Sequence, residues 1–179
     1  MAMQVDFSRN HFELFGLPIQ FDLDSPALEQ TYRALQSQVH PDRFANLSQA
    51  EQRASMQWST RINEAYQTLR SPLKRAQYVL QLQGIDALAE QNTSMPGDFL
   101  MQQIEWREAI QSARHTADAA ALQSLEDELN HGARTLRDGL TRQLDTEHDY
   151  PRAAEAVRKL KFMDKLVEEI HDAFEALDS

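Results

Sequence analysis

The run His40-Pro41-Asp42 combines three side chains with distinct chemistry. The imidazole donates or accepts hydrogen bonds, the carboxylate pairs with a basic partner, and the proline between them fixes φ and stiffens the backbone. Such a loop suits recognition. Catalysis lacks a partner for it, since no Ser carries a nucleophile motif. Metal binding lacks ligands: His11, His115, His131, His148 and His171 are scattered, with no i, i+4 pair among them. The chain has no cysteine, which removes disulfides, thiol chemistry, thiolate-bound zinc and cysteine-held iron–sulfur clusters. The expectation is a binding protein that is not an enzyme and has neither a cofactor nor a metal of its own.

The bulk composition narrows the partners. The net charge is −10 over 179 residues, and the acidic excess lies wholly in the second part of the chain. Residues 1–75 carry eight acidic and eight basic side chains, and residues 76–179 carry twenty and ten. This argues against nucleic acid or an anionic membrane as the main partner. With 41% apolar and 26% charged residues the chain has the make-up of a globular protein. No apolar run has the length of a membrane span. The start Met1-Ala2-Met3-Gln4-Val5-Asp6-Phe7 lacks the basic and apolar regions of a signal peptide, so a cytoplasmic location is expected.

Helical periodicity runs throughout, and the loop sits between two amphipathic helices. The first follows Asp24-Ser25-Pro26, a cap with proline near the first helical position. It places Leu28, Tyr32, Leu35 and Val39 on one face and stops at His40, because Pro41 disfavours helical geometry before it. The second opens at Ser48-Gln49-Ala50-Glu51, a capping-box pattern. Its stripe is Ala54, Trp58, Ile62, Ala65 and Leu69, and it ends before Ser71-Pro72. The pair should form an antiparallel hairpin. A short helix around Phe12 precedes it, ended by Gly16 and Pro18. A connecting segment with a short helix at Tyr78–Leu82, stopped by Gly84, follows it. Beyond the loop Gln91–Gly97, helices are predicted over 98–114, 118–144 and 151–177, which make a bundle. The middle one has Leu122, Leu125, Leu129, Leu136, Leu140 and Leu144 as its seam.

A helix bearing Tyr32, the His40-Pro41-Asp42 loop and a capped second helix together resemble the J-domain, by which co-chaperones engage heat-shock ATPases. Arg43-Phe44-Ala45, the run Ile62–Arg70 and the run Pro72–Tyr78 are similar to the HscB type of co-chaperone, which serves iron–sulfur cluster assembly. So are Phe99–Glu105 and Arg158–Leu166. The resemblance extends from His11 over nearly the whole chain. It implies an all-α, L-shaped chain: a J-domain over 1–75, a linker over 76–94 and a three-helix scaffold-binding bundle over 95–179. It further implies that His40, Pro41, Asp42 and Arg43, with Tyr32 and Arg33 on the helix before them, face an HscA-type chaperone ATPase. Arg33 is the sole basic residue of that helix, so electrostatic steering should be weak. The Gly/Phe-rich and zinc-binding regions of general J-proteins are missing, which points away from a general folding role.

The bundle carries a second constellation. On a wheel of about 100° per residue, Phe99, Trp106, Ile110 and Ala113 make one face of their helix. Leu100, Met101 and Ile104 make another, with Glu105 and Glu108 beside them. On the last helix Ala153, Val157, Leu160, Val167, Ile170 and Phe174 form the core stripe. Phe162 lies off it, with Leu166 leaning toward it. A second apolar face is either buried under another part of the chain or is a contact site. The resemblance selects the contact site. It implies that Leu100, Met101, Ile104, Glu105, Glu108 and Phe162 hold an IscU-type scaffold protein. The two glutamates would form a polar rim for a basic complement.

Overall fold

The computed structural model describes residues 6, 8–89 and 94–177, leaving the Pro41 side chain aside. Among the described residues it is all-α, with seven α-helices and no strand. These are α1 (His11–Leu14), α2 (Ser25–Val39), α3 (Gln49–Arg70), α4 (Pro72–Leu82), α5 (Gly97–His115), α6 (Ala119–Thr141) and α7 (Tyr150–Leu177). The chain divides into two compact units, residues 1–79 and 80–179. The start Met1–Phe7, Asp6 excepted, lies outside the described residues, as do positions 91–93 of the expected Gln91–Gly97 loop.

In the first unit the caps act where the sequence places them. The Asp24 carboxylate accepts from the Ala27 N–H at 3.1 Å and opens α2. Ser48 and Glu51 bond reciprocally to each other's backbone N–H and open α3. A cap of this kind stabilises a helix by about 1 kcal/mol. The α2–α3 pairing is antiparallel, because its cross-links run in opposite directions along the two helices. Tyr32 meets Tyr66, Gln36 meets Ser59, and the Ser55 hydroxyl donates to the Val39 carbonyl. Ile62, Ala65 and Leu69 of the expected stripe are fully buried. Ala54 and Trp58 are half-buried, and the position between their rows belongs to Ser55.

Short elements flank the hairpin, and the last of them, α4, runs from the first unit into the second. Gly16 ends α1 with φ +65°, and the Leu17 N–H returns to the Phe12 carbonyl at 2.9 Å. Gly84, at φ +79°, ends α4 likewise, with Ile85 N–H on the Leu80 carbonyl. Both conformations favour glycine. α4 begins at Pro72, earlier than the Tyr78–Leu82 helix expected, since proline at the first helical position forfeits no bond. Arg75 is buried in the first unit. Its guanidinium donates to the Phe21 and Leu69 carbonyls, both at 2.6 Å, and lies over the Phe21 ring.

In the second unit α6 packs on α7, and α5 packs on both. The core joins Trp106 and Ile110 of α5 to Leu122, Leu129 and Leu140 of α6. From α7 come Val157, Leu160, Leu166 and Ile170. Two details differ from the sequence expectation. Helix α7 faces two helices at once, so its buried face is wider than one stripe. Met163 and Leu166 join it, whereas Val167 and Phe174 are only half-buried. Leu166 therefore belongs to the core and does not lean out toward Phe162. Helix α6 does not run regularly to Leu144. It gives way at Arg142–Thr146 to a π-helical turn, in which the Glu147 N–H bonds the Arg142 carbonyl at 2.8 Å.

Candidate functional sites

The loop after α2 is short and tightly tied. His40 leaves helical geometry at φ −57°, ψ 130°, and Pro41–Phe44 form one 3-10 turn. The His40 Nδ1 accepts from the Asp42 N–H at 3.3 Å, and the Arg43 N–H bonds the His40 carbonyl at 3.0 Å. The Arg43 guanidinium donates back to the Ser37 carbonyl at 3.0 Å, satisfying one of the orphan acceptors in the last turn of α2. The Asp42 side chain is 90% exposed and that of His40 57%. A carboxylate is thus presented to solvent on a backbone whose polar groups are already engaged. This suits capture of a partner cation by a charge-assisted bond.

The other two residues expected at this site are placed differently. Arg33 is exposed and forms an i, i+4 pair with Glu29 at 2.6 Å. That pairing reduces its charge as seen by a partner. Tyr32 turns to α3: its ring stacks on Tyr66 with centroids 4.0 Å apart, and its hydroxyl donates to the Asn63 side chain at 2.7 Å. Gln36 shares that Asn63 oxygen at 2.6 Å. Tyr32 therefore clamps the hairpin that holds the loop. Gln36 and Asn63 went unmarked in the sequence, although each lies one turn from a tyrosine of the seam.

The α5 surface is built differently. Leu100, Met101 and Ile104 are 46%, 61% and 53% exposed among the described residues, so α5 presents them to solvent within its own unit. Glu105 and Glu108 are exposed, and neither is ion-paired among the described residues. Phe162 of α7 is half-buried. It meets Phe99 edge to face at 6.1 Å, and Phe99 meets Trp106 likewise at 5.9 Å. Phe99 is thus half-buried and bridges the core to the surface, where the wheel had assigned it to the core. Arg107 lies over the Phe162 ring at 5.3 Å and Lys159 over the Phe99 ring at 5.4 Å. These cations sit above the electron-rich ring faces and hold both aromatics in place. Sequence reasoning missed Phe99, Arg107 and Lys159 here, because these contacts span two helices far apart in the chain. Among the described residues no group of acidic or histidine side chains could hold a metal ion, and no helix is long and apolar enough to cross a membrane.

An antiparallel hairpin closed by an exposed His-Pro-Asp turn defines a J-domain protein, and residues 10–78 match the family model described as the DnaJ domain. Residues 95–171 match the one described as the HSCB C-terminal oligomerisation domain. A co-chaperone protein HscB homolog from Aromatoleum aromaticum is 51% identical, over 99% of this chain and 100% of that protein. The solved structure of chaperone HscB from Vibrio cholerae is 41% identical with a TM-score of 0.82, covering 94% of this chain and 99% of that one. The human co-chaperone HscB structure is 30% identical with a TM-score of 0.84, covering 93% of this chain and 83% of that one. The chain belongs to the HscB family of J-domain co-chaperones.

Proposed function

We propose that the protein is an adaptor of iron–sulfur cluster assembly. It holds an IscU-type scaffold protein on the bundle and presents it to an HscA-type ATPase chaperone. The observation that carries this reading is the exposed apolar surface of Leu100, Met101 and Ile104 on α5, in a chain that also carries an exposed J-domain loop. Leu100, Met101 and Ile104 are each about half exposed. Covering what remains is worth on the order of 1 kcal/mol per side chain. Glu105 and Glu108 set orientation at the rim and favour a basic scaffold surface.

At the other end Asp42 pairs with a basic side chain of the ATPase, and His40 and Pro41 keep the loop in shape. Contact favours a hydrolysis-competent state of the chaperone through differential affinity for it. Holding scaffold and chaperone together raises their effective concentration. The cluster is cargo of the scaffold, and no residue here is asked to bind it.

The test is the ATPase rate of an HscA-type chaperone over a range of scaffold concentrations, with and without this protein. Stimulation that is synergistic with scaffold is expected. An unchanged rate, with folded protein and active chaperone, would overturn the reading.

A further inference from the structure

The two ends of the loop that carries His40-Pro41-Asp42 are held to α3 by different means. At the near end the buried Ser55 hydroxyl donates to the carbonyl of Val39, the last residue of α2, and Val39 is itself buried. The packing of the hairpin fixes this end. The far end lacks such burial. Beyond the half-buried Phe44, residues Ala45, Asn46 and Leu47 are all exposed, so apolar packing does not hold this limb against α3. A bond from the Leu47 N–H to the Phe44 carbonyl at 3.0 Å shapes the limb locally.

Gln52 attaches the limb to α3. Its side-chain amide donates to the Ala45 carbonyl and to the Leu47 carbonyl, each at 3.1 Å. A primary amide has two N–H donors and no net charge, so one side chain serves both acceptors. The backbone N–H of Gln52 stays in the helix, on the Ser48 carbonyl at 3.0 Å. The bracket therefore springs from a helix start already closed by the Ser48–Glu51 box. Ser55, three residues on, lies one turn along the same face.

Between these two anchors lies Asp42, with its carboxylate exposed. A turn that is already ordered meets a partner without a further loss of conformational freedom. A turn that holds the competent shape only part of the time binds more weakly in proportion to that fraction. Gln52 lies outside the tripeptide and acts on Asp42 through the backbone of the loop. We propose that Gln52 is a positioning residue of this site: by tying Ala45 and Leu47 to α3 it keeps Asp42 in the shape that the ATPase meets. The assignment rests on the reading of the turn as the ATPase-facing site.

The test titrates an HscA-type chaperone with the full chain as wild type, Gln52→Met and Gln52→Lys, and reads its ATPase rate. Methionine keeps the length, the neutrality and the helix propensity of glutamine but has no donor. Gln52→Met should raise the concentration for half-maximal stimulation about five- to tenfold and leave the maximal rate unchanged, because only the population of the competent turn falls. Lysine restores a multiple donor and should recover most of the loss. Gln57→Met, the same change at an exposed position further along α3, should have no effect. In the free protein, NMR relaxation should show the Asp42 and Asn46 amides more mobile in Gln52→Met than in the wild type, at an unchanged thermal midpoint. Lack of stimulation by the wild type would overturn the ATPase reading and this assignment with it. With the wild type active, three results would each overturn the role of Gln52 alone: an unchanged half-maximal concentration in Gln52→Met, amides as ordered as in the wild type, or no recovery in Gln52→Lys.

Discussion

Asp42 and His11 show how differently two polar side chains of one J-domain are used. Asp42 is almost wholly exposed, and the N–H groups beside it are satisfied without its carboxylate, which lies 3.5 Å from the His40 Nδ1 and otherwise faces solvent, open to a partner. His11 is half-buried. Its ring stacks on Tyr78 at 4.4 Å, and its backbone N–H donates to the Tyr78 hydroxyl at 3.0 Å. Its Nδ1 is buried without a hydrogen-bond partner among the described residues. Burial, then the nearby Arg61, holds the His11 pKa below its ordinary value near 6.5, with Glu64 opposing. The folded state therefore resists protonation that the unfolded chain accepts. Below pH about 6.5 the unfolded state binds more protons, and stability falls as pH drops toward the lowered value. Amide protection of α3 should decline between pH 7.5 and 5.5 by more in the wild type than in His11→Phe, measured by hydrogen exchange. An equal decline in both would rule out this role for His11.

At the scale of elements, the hairpin is held by polar cross-links as much as by its apolar seam. Tyr32, Gln36, Ser59, Asn63 and Tyr66 stitch α2 to α3 where a two-helix contact is too thin to bury a full core. The junction of α3 with α4 depends on Arg75, a buried charge satisfied by two backbone carbonyls that approach from separate segments. Arg75→Ala strands both carbonyls and should destabilise the first unit by about 3 kcal/mol in urea unfolding. A loss under 1 kcal/mol would show that water satisfies them instead. Helix starts were legible from the sequence, because Asp24, Ser48 and Asp118 cap by bonds to residues three positions on. The π-turn after α6 was not legible. Nothing local in Arg142–Thr146 demands it, and the Leu seam continues through it to the buried Leu144.

Over the whole molecule, the two proposed binding surfaces lie in separate compact units, and the acidic excess accompanies only one of them. This separation predicts independent loss of the two activities. Asp42→Asn should abolish ATPase stimulation and leave scaffold affinity unchanged. Leu100→Ala with Phe162→Ala should weaken scaffold binding by about 2–3 kcal/mol, roughly 30- to 150-fold by calorimetry. The same double variant should still stimulate the ATPase when scaffold is absent. Unchanged affinity in it would remove the α5 patch as the scaffold site. Loss of both activities in either variant would mean that the two ends are not separable.

The sequence by itself determined the all-α class, the helix caps, the exposed His40-Pro41-Asp42 turn and the existence of a second apolar face on α5. These depend on local rules: a proline's missing N–H, a side chain bonding three residues on, and a period of 3.6 residues. Only the tertiary structure decided that Leu100, Met101 and Ile104 stay exposed among the described residues, that Leu166 is core, and that Tyr32 packs on α3. It also placed Arg107 and Lys159 over the rings of Phe162 and Phe99, and buried the Gln143 side-chain oxygen without a hydrogen-bond partner among the described residues. A helical wheel fixes which residues share a face. What covers that face depends on contacts between segments distant in the chain, and no local spacing encodes them.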